Sequence, residues 1–456
     1  MSSGIFDLLI LALIAIIIAM IAVAGMVQLE LGPAAKLKGH RRYFLMTALG
    51  AGILTFTAKM IMLLAFVSLP PVSDGDIITE SSNTKTGPLK PAIYTWTLLP
   101  GVAKFNNKLL DSPTPTYIWE ALPEQVPSPE NNPTTTAKVV LGKMLFNDKQ
   151  LSHDKTLSCA SCHSLNGAAG ADGRKTAKGI NGQIGDRNTP TVWNTAFQTL
   201  LFWDGRAASL EEQAKGPLVN PIEMGMPSFA EVENRVKQQQ HYRKAFDDVF
   251  GKETTITIDR IAEAIAAYER TLITADTPYD RFVRGDHGAM TSQQIRGMAL
   301  FQSLGCVSCH QGPNFSSASL FNGQFPRRIF PANPTPYEKK YDLLMDIDNS
   351  GIKQRSVWRV PSLRNVALTG PWLHNGSVTE LEEVVRIMAS TQLGWSGHYL
   401  LWSEANQTLK VVNRPVPSEQ QVNDIVAFLH ALSSDRLILA ANKSRISNTK
   451  SSLAKQ

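Results

Sequence analysis

The stretch that decides how this chain folds is Cys159-Ala160-Ser161-Cys162-His163. Two cysteines three positions apart, followed at once by histidine, form the attachment pentad of c-type haem. Each thiol adds to one vinyl group of the porphyrin, and the adjacent imidazole is placed to bind the iron. The pentad recurs as Cys306-Val307-Ser308-Cys309-His310. The sequence therefore predicts two covalently bound haem c groups, with His163 and His310 as iron ligands.

The two pentads use all four cysteines of the chain, which limits the alternatives. A zinc site built from four cysteines is conceivable, but it leaves the histidine after each cysteine pair unexplained. A disulfide framework needs no histidine at all. Covalent haem accounts for both cysteine pairs and both histidines, so we favour it.

Composition sets broad bounds on the fold and its partners. The 456 residues are enough for two or three domains. Charged residues make up 18% of the chain, hydrophobic residues make up 43%, and the formal net charge is +6. No run of lysine and arginine is long enough to indicate nucleic acid, so we expect no such partner.

Two apolar runs near the start predict a two-helix transmembrane hairpin. Residues 8–27 and 43–69 are each long enough to cross a bilayer. Residues 32–42 between them carry four basic residues and no acid, whereas acids follow Pro70, so the positive-inside rule places the later chain outside the cytoplasm. A signal peptide is the alternative for the first run, although no basic residue precedes it. We expect residues 1–71 to anchor the protein in a bacterial inner membrane, with its haem domains in the periplasm.

The rest of the chain divides into an irregular segment and a duplicated unit. Residues 72–136 are rich in Pro, Thr, Ser and Asn, which predicts a linker, although Tyr117 and Trp119 indicate that parts of it pack on the globular portion. The order helix, pentad, long loop and later helix then occurs twice, which is typical of a repeated domain. We predict an N-terminal haem domain at 137–285 and a C-terminal haem domain at 286–456.

The predicted fold class is mainly α, with two tandem cytochrome c-like haem domains and long loops after the hairpin. Apolar residues at helical spacing predict helices at 137–146, 257–273, 291–304 and 418–432. Alternating apolar strands are too few for a large sheet.

Several motifs that occur in one order resemble the bacterial di-haem cytochrome c peroxidase family, which includes the MauG-type enzymes. The resemblance spans roughly residues 137–434, so the hairpin and the linker lie outside the family pattern. The motifs are Leu141-Gly142-Lys143-Met144-Leu145-Phe146, Leu151-Ser152, Arg187-Asn188-Thr189-Pro190-Thr191, Phe202-Trp203-Asp204-Gly205-Arg206-Ala207, Glu223-Met224-Gly225, Val360-Pro361-Ser362-Leu363-Arg364-Asn365, Thr369-Gly370-Pro371, His374-Asn375-Gly376, Ile387-Met388 and Gln392-Leu393-Gly394.

The resemblance implies roles around the first haem. Glu223 matches the catalytic glutamate, and a carboxylate beside an open iron can move a proton between the two peroxide oxygens. Gln213 is implied to donate a hydrogen bond to bound peroxide, and Trp203 to relay electrons between the haems. Arg206 is expected to reach a haem propionate, because a guanidinium fork suits a carboxylate. Taken alone, Glu223 would be interpreted as a surface or capping residue, and Trp203 as core packing.

The second haem is expected to have His310 on one side and the thioether of Met388 on the other. A methionine ligand raises the reduction potential, which suits an electron store. Met388 lies on an apolar helical stripe, so plain core packing is the alternative. Met298 and Met345 are weaker candidates for the ligand. MauG-type enzymes carry tyrosine at the position of Met388, so methionine there favours a peroxidase.

One position departs from the family pattern. Well-known members carry a histidine in the loop before the Asn-x-Pro-Thr motif, and it blocks the first iron until the second haem is reduced. Here the matching position falls at about Ile180, and no histidine occurs between His163 and His241. We therefore predict a first iron that is already open and needs no reductive activation.

The resemblance also implies a calcium ion between the domains. The matching ligands are the side-chain oxygen of Asn188 and the backbone oxygens of Thr369 and Pro371, and neutral oxygens completed by water suit a hard cation. From sequence alone Asn188 would be a turn residue. His374 matches a histidine near the second haem, and we assign it no ligand role.

The favoured function is a membrane-anchored, periplasm-facing di-haem peroxidase that reduces hydrogen peroxide to water. The electron donor is expected to be a cytochrome c or a membrane quinol, and a homodimer is in keeping with the family. The alternatives are an electron-transfer di-haem cytochrome of a respiratory complex and a MauG-like oxidase of a protein or organic substrate.

Overall fold

The computed structural model describes six ranges of the chain: 117–165, 169–252, 255–321, 325–346, 351–403 and 408–443. For 398–403 and 408–413 it describes only the backbone. The predicted transmembrane hairpin, residues 1–71, lies outside the described residues, as does most of the predicted linker. Within the described ranges, no helix is both long and apolar enough to cross a bilayer.

Helices dominate the described chain, which confirms the predicted mainly α class. The α-helices are α1 (Thr136–Asn147), α2 (Cys159–Cys162), α3 (Leu210–Val219), α4 (Phe229–Gln238), α5 (Gln240–Phe250), α6 (Ile258–Glu269), α7 (Pro278–Val283), α8 (Ser292–Ser303), α9 (Tyr337–Lys340), α10 (Leu381–Ile387) and α11 (Glu419–Ala431). Short 3₁₀ turns are Lys149–Leu151, Ile180–Gly182, Thr195–Phe197, Cys306–Ser308 and Val366–Leu368, and a π-helical turn is Met388–Gln392.

The strands of the described residues form only two-stranded antiparallel ribbons, as the scarcity of alternating segments predicts. The strands are β1 (Arg327–Phe330), β2 (Met345–Asp346), β3 (Lys353–Gln354), β4 (Ser356–Arg359), β5 (Gly397–Ser403) and β6 (Thr408–Arg414). They pair as β1 with β4, β2 with β3, and β5 with β6. In the first ribbon Arg327 lies opposite Arg359, and Ile329 lies opposite Val357.

The same helix crossing occurs twice, which agrees with the predicted duplication. A Cβ added to Gly142 on α1 would lie 1.8 Å from the carbonyl oxygen of Ala264 on α6. A Cβ added to Gly297 on α8 would lie 1.8 Å from the carbonyl oxygen of Asp424 on α11. At both crossings the two helix backbones touch, and only glycine leaves room for that contact.

Side-chain hydrogen bonds set where the crossing helices begin and end. The hydroxyls of Thr135, Thr257, Thr291 and Ser418 accept N–H groups in the first turns of α1, α6, α8 and α11, and each such N-cap stabilises a helix by about 1 kcal/mol. The predicted helix 257–273 is too long, because α6 ends at Glu269. There the hydroxyl of Thr271 donates to the carbonyl of Tyr268 and takes up a helix-end acceptor.

Two apolar cores surround the two crossings. The first includes Leu145, Phe146 and Ile261, and the second includes Phe301 and Phe428. In each core an aromatic of the first helix meets one of the last edge-on: Phe146 with Tyr268, and Phe301 with Phe428.

The end of the predicted linker packs into the second core. Trp119 is 3% exposed and contacts Phe428 edge-on. The hydroxyl of Tyr117 accepts the N–H of Gly312 at 2.8 Å, and the N–H of Leu122 donates to Asp280 at 2.9 Å. Burying an aromatic side chain contributes about 1.5–3 kcal/mol, so this part of the segment stabilises the fold. The predicted packing of Trp119 is confirmed.

Candidate haem and peroxide site

The first pentad lies on the one-turn helix α2, with His163 at its C-terminal cap. Nδ1 of His163 lies 3.1 Å from the carbonyl oxygen of Gly170. This hydrogen bond fixes the ring, so Nε2 is the nitrogen that can bind iron. Burial lowers the pKa of His163, which favours the neutral imidazole that ligation requires.

The second pentad repeats this arrangement around the 3₁₀ turn Cys306–Ser308. Nδ1 of His310 lies 3.1 Å from the carbonyl oxygen of Phe315. Burial lowers the pKa of His310 to about 4, so this imidazole is neutral at physiological pH. In both pentads, a backbone carbonyl later in the chain therefore holds the histidine ring by Nδ1 and leaves Nε2 for the iron.

The structure excludes the alternatives to haem at the pentads. All four cysteines are free, so the disulfide alternative is wrong. Among the described residues, no three or more His, Cys, Asp or Glu side chains converge as a metal site, so the cysteine pairs do not meet on one zinc ion.

The first cavity, of about 430 Å³, brings together the residues predicted for peroxide chemistry. Cys159, Cys162 and His163 line it from the pentad. The predicted residues Trp203, Arg206, Gln213 and Glu223 line it as well. Gln213 lies on α3, and Glu223 lies in the turn that follows this helix.

Glu223 is half-buried in a turn held by Asn220. The side-chain amide of Asn220 donates to Oε1 of Glu223 at 3.0 Å, and the N–H of Glu223 donates to the carbonyl of Asn220 at 3.1 Å. Burial raises the pKa of Glu223, and the charge of Asp186 adds to this, while Arg206 and the Asn220 bond act in the opposite direction. This setting suits a proton-transferring carboxyl and is unlike that of a solvated surface glutamate.

The loop at Ile180 supports this turn. The N–H of Ile180 donates to the carbonyl of Glu223 at 3.0 Å, and the amide of Gln183 donates to the carbonyl of Pro221 at 3.1 Å. The Ile180 side chain packs so closely on Gly225 that an added Cβ would lie 2.2 Å from its Cδ1. Among the described residues that line the first cavity, His163 is the only histidine. The sequence alone does not show this supporting role of Ile180.

The second cavity, of about 220 Å³, is lined by both predicted ligands of the second iron, His310 and Met388. Met388 begins the π-helical turn that follows α10, and such turns occur often at functional sites. In the part of the chain that the structure describes, Met298 and Met345 do not line this cavity, and Met298 is fully buried in the second core. His374 lines the cavity with its ring stacked on Trp358 at 4.4 Å.

Trp203 lines both cavities, as expected of a residue between two haems. Its indole N–H donates to the carbonyl of Asn188 at 2.8 Å. Its ring meets Trp358 and His374 edge-on, with centroids 6.4 and 6.5 Å away.

Arg359 also lines both cavities. The sequence indicates this residue only weakly, by its position just before the Val360-Pro361 motif.

Arg206 is exposed and already has a carboxylate partner. Its guanidinium bonds both carboxylate oxygens of Asp204, at 2.9 and 2.8 Å, and lies 3.5 Å from the centre of the Phe202 ring. Burial opposes ionisation of Asp204, but the hydrogen bond from Arg187 and the charge of Arg206 hold its pKa below the usual value. Arg206 lines the first cavity. Its contact with a haem propionate stays a prediction.

The three residues predicted to bind calcium, Asn188, Thr369 and Pro371, all line the second cavity. The side-chain amide of Asn188 donates to the carbonyls of Arg174 and Lys175 at 2.8 and 3.3 Å, so Oδ1 is the atom that a cation would use.

Comparison with known proteins gives the same family along the described chain. A sequence family described as di-haem cytochrome c peroxidase matches residues 136–288. The cytochrome c551 peroxidase of Pseudomonas aeruginosa is 37% identical over 318 residues, which are 69% of this chain and 84% of that protein. The cytochrome c peroxidase Ccp of Escherichia coli is 38% identical over 314 residues, which are 67% of this chain but only 60% of that protein.

A solved structure also resembles this chain in its fold. The crystal structure of a MauG-like protein associated with microbial copper homeostasis matches with a TM-score of 0.55 and 30% identity, over 71% of this chain and 96% of that one. The chain therefore belongs to the di-haem cytochrome c peroxidase family of oxidoreductases, and this membership implies two covalently bound haem c groups.

Proposed function

We propose that this protein reduces hydrogen peroxide to water with electrons from an external donor. The observation that carries the proposal is the position of Glu223, a half-buried carboxyl with a raised pKa that shares a cavity with the first pentad and with Gln213. The relatives named cytochrome c peroxidase support the same substrate.

The protein contributes proton transfer and orientation to this reaction. The first haem, when bound through Cys159, Cys162 and His163, supplies the iron at which the O–O bond is broken. The carboxylate of Glu223 accepts the proton of the inner peroxide oxygen and returns it to the outer one, which then leaves as water. The amide of Gln213 donates a hydrogen bond that holds the peroxide within reach of Glu223. Two electrons and two protons from outside convert one peroxide into two waters.

The second cavity and Trp203 form the proposed electron entry. His310 and Met388 would hold the second haem, and a thioether ligand gives it the high potential of an electron store. Trp203 is the proposed relay, because it lines both cavities. The donor is a cytochrome c or a membrane quinol.

Several parts of the proposal rest on the sequence and the family. Residues 1–71 would anchor the protein in the inner membrane, with the domains 137–285 and 286–456 in the periplasm. One calcium ion would lie at Asn188, Thr369 and Pro371, and a homodimer is the proposed assembly. An electron-transfer cytochrome is less favoured, because a pure electron carrier needs no acid such as Glu223. A MauG-like oxidase is less favoured, because Met388 stands where MauG-type enzymes carry tyrosine.

Steady-state turnover of hydrogen peroxide with reduced cytochrome c, and separately with a quinol, tests the function. Glu223→Gln removes the proton carrier and keeps the shape, so turnover should fall by about 10²–10⁴-fold. Glu130→Gln, at an exposed position in the same half of the chain, is the matched control and should leave the rate unchanged. Equal rates in Glu223→Gln and the wild type would remove Glu223 from the mechanism.

The resting ferric protein gives a second test, by electron-spin resonance. One high-spin signal and one low-spin signal are expected, because no second histidine lines the first cavity among the described residues. Two purely low-spin, six-coordinate signals would show that the first iron is blocked at rest.

A further inference from the structure

Arg359 is the buried cation at the boundary of the two cavities. It lies at the end of β4, is 4% exposed, and lines both the first and the second cavity. Its backbone N–H donates to the carbonyl of Trp203 at 2.9 Å, and its Nε donates to the carbonyl of Phe202 at 2.6 Å. Arg359 therefore holds the turn that carries the proposed electron relay.

One arm of this guanidinium lacks a protein partner. The NH1 nitrogen is buried and makes no hydrogen bond within the described chain. Burial lowers the pKa of Arg359 only to about 10, so the side chain keeps its charge at neutral pH. A buried charge is strongly destabilising unless an opposite charge meets it.

The neighbouring acidic group is already engaged. The carboxylate of Asp204 attracts Arg359, but it accepts hydrogen bonds from Arg187 and Arg206 at 2.8 Å each. Three arginines thus share one partly buried aspartate. Asp204 is therefore shared, and a further anion would give the NH1 arm of Arg359 a partner of opposite charge.

We propose that Arg359 binds a haem propionate at the boundary of the two cavities and thereby raises the reduction potential of that haem. Haem c carries two propionate carboxylates, so a haem bound at a pentad would supply such an anion, and guanidinium–carboxylate pairs are strong and directional. A fixed positive charge beside a haem favours the added electron. Arg359 is thus a positioning residue, because it acts through the haem and through Trp203. This inference rests on the proposed two-haem peroxidase.

Redox titration of both haems in the purified holoprotein tests the proposal. Arg359→Gln should make one haem about tenfold harder to reduce, a downward shift of about 59 mV for a one-electron couple. Arg359→Lys keeps the charge and should restore most of the potential. Arg359→Met retains the length of the stem and gives the same test as glutamine where the glutamine variant fails to fold.

Arg327 provides a matched control. It lies directly opposite Arg359 in the ribbon and donates to the carbonyl of Gly205 at 2.7 Å, so it holds the same turn. Arg327 is exposed and lines neither cavity. Arg327→Gln should therefore leave both potentials unchanged.

The outcomes separate this proposal from the proposed function. Wild-type potentials in both neutral variants of Arg359 would overturn the charge role, whatever their turnover. A fall of equal size in Arg327→Gln would also overturn it, because the shift would then come from the turn. Wild-type protein that does not turn over peroxide would refute the proposed function alone, since the titration needs no peroxide.

Discussion

The two halves of the described chain share a scaffold and differ in the residues that share a cavity with the histidine of each pentad. Each half has a glycine-mediated helix crossing, a pentad, and a histidine whose Nδ1 is held by a backbone carbonyl. The first half then places Glu223 on its cavity, and the second half places Met388 on its own. Under the proposed function, the repeated helices would hold and orient the two haems, and the segments between them would give each haem its own chemistry.

A matching asparagine marks the pseudo-symmetry of the two halves. Asn194 and Asn365 both have a left-handed backbone, with φ of 62° and 60°, and each precedes a 3₁₀ turn. Both side-chain amides donate to the hydroxyl of Thr274, at 2.7 and 3.0 Å. The residues just before them differ, because Trp193 stands in the first half where Arg364 stands in the second.

The largest expected effect comes from the ion pair of Arg364 with Asp280, which Trp193 at the matching position cannot form. Arg364 and Asp280 are fully buried and bonded at 2.6 Å. Asp280→Asn leaves the guanidinium buried without its charge partner, so the free energy of unfolding should fall by about 3–5 kcal/mol. Denaturant unfolding of the holoprotein measures the change.

The exposed ion pair of Asp259 with Lys215 gives the control for this prediction. Asp259→Asn should cost less than about 1 kcal/mol, because solvent screens a surface pair. Similar losses in the two variants would mean that the Asp280 pair does not stabilise the second half as its burial indicates.

A comparison of two methionines tests whether the second iron has a thioether ligand and the first iron has none. Met388 lines the second cavity, whereas Met224 lines the first and is 5% exposed in the first core. Met388→Leu removes the proposed thioether, so the higher of the two reduction potentials should fall by more than the 59 mV of a tenfold change. Met224→Leu should leave both potentials and the ferric spectrum unchanged, because leucine replaces methionine in a core at small cost.

The reverse pattern would exchange the roles of the two sites. A lost thioether signal in Met224→Leu would place sulfur on the first iron and would leave no open face for peroxide there. Redox titration and the optical spectrum of the ferric protein decide between the two patterns.

The sequence was sufficient for the features that local patterns determine. Periodicity and capping residues predict α8 and α11 within about one residue, and the pentads point to His163 and His310 as the proposed iron ligands. The family motifs predict Glu223 near the first pentad and Met388 near the second, and each lines the cavity that contains that pentad. These residues lie in short segments whose chemistry is readable without knowledge of the rest of the chain.

The remaining features depend on contacts between distant segments. Arg359 bonds the carbonyl of a residue 157 positions earlier, so no local pattern shows that it reaches both cavities. Ile180 acts by holding the turn of Glu223, and a lone isoleucine in a glycine-rich loop carries no signal of that contact. The overlong prediction for α6 has a local origin instead, because the Thr271 hydroxyl bonds the carbonyl of Tyr268 at the helix end, and apolar periodicity carries no signal of that bond.

The smallest expected effect concerns the pH at which the first site works. Glu223 must be a carboxylate to accept the first proton, so kcat/KM should fall as the pH drops through the pKa of this group. Burial raises that pKa, so the acid limb should lie above the ordinary range for glutamate. Asp186 raises the pKa of Glu223 and Arg206 lowers it, so removing the two charges should move the acid limb in opposite directions.

Asp186→Asn removes a negative charge and should lower the pKa of Glu223, so the acid limb of kcat/KM should move to lower pH. Arg206→Gln removes a positive charge and should move the limb to higher pH. Both residues are exposed, so each shift should stay under about one pH unit and shrink as ionic strength rises. The pH profile of peroxide turnover at low and high salt measures both shifts. Limbs that do not move, or that move together, would mean that another group limits the rate in acid and that Glu223 is not the base of the first half.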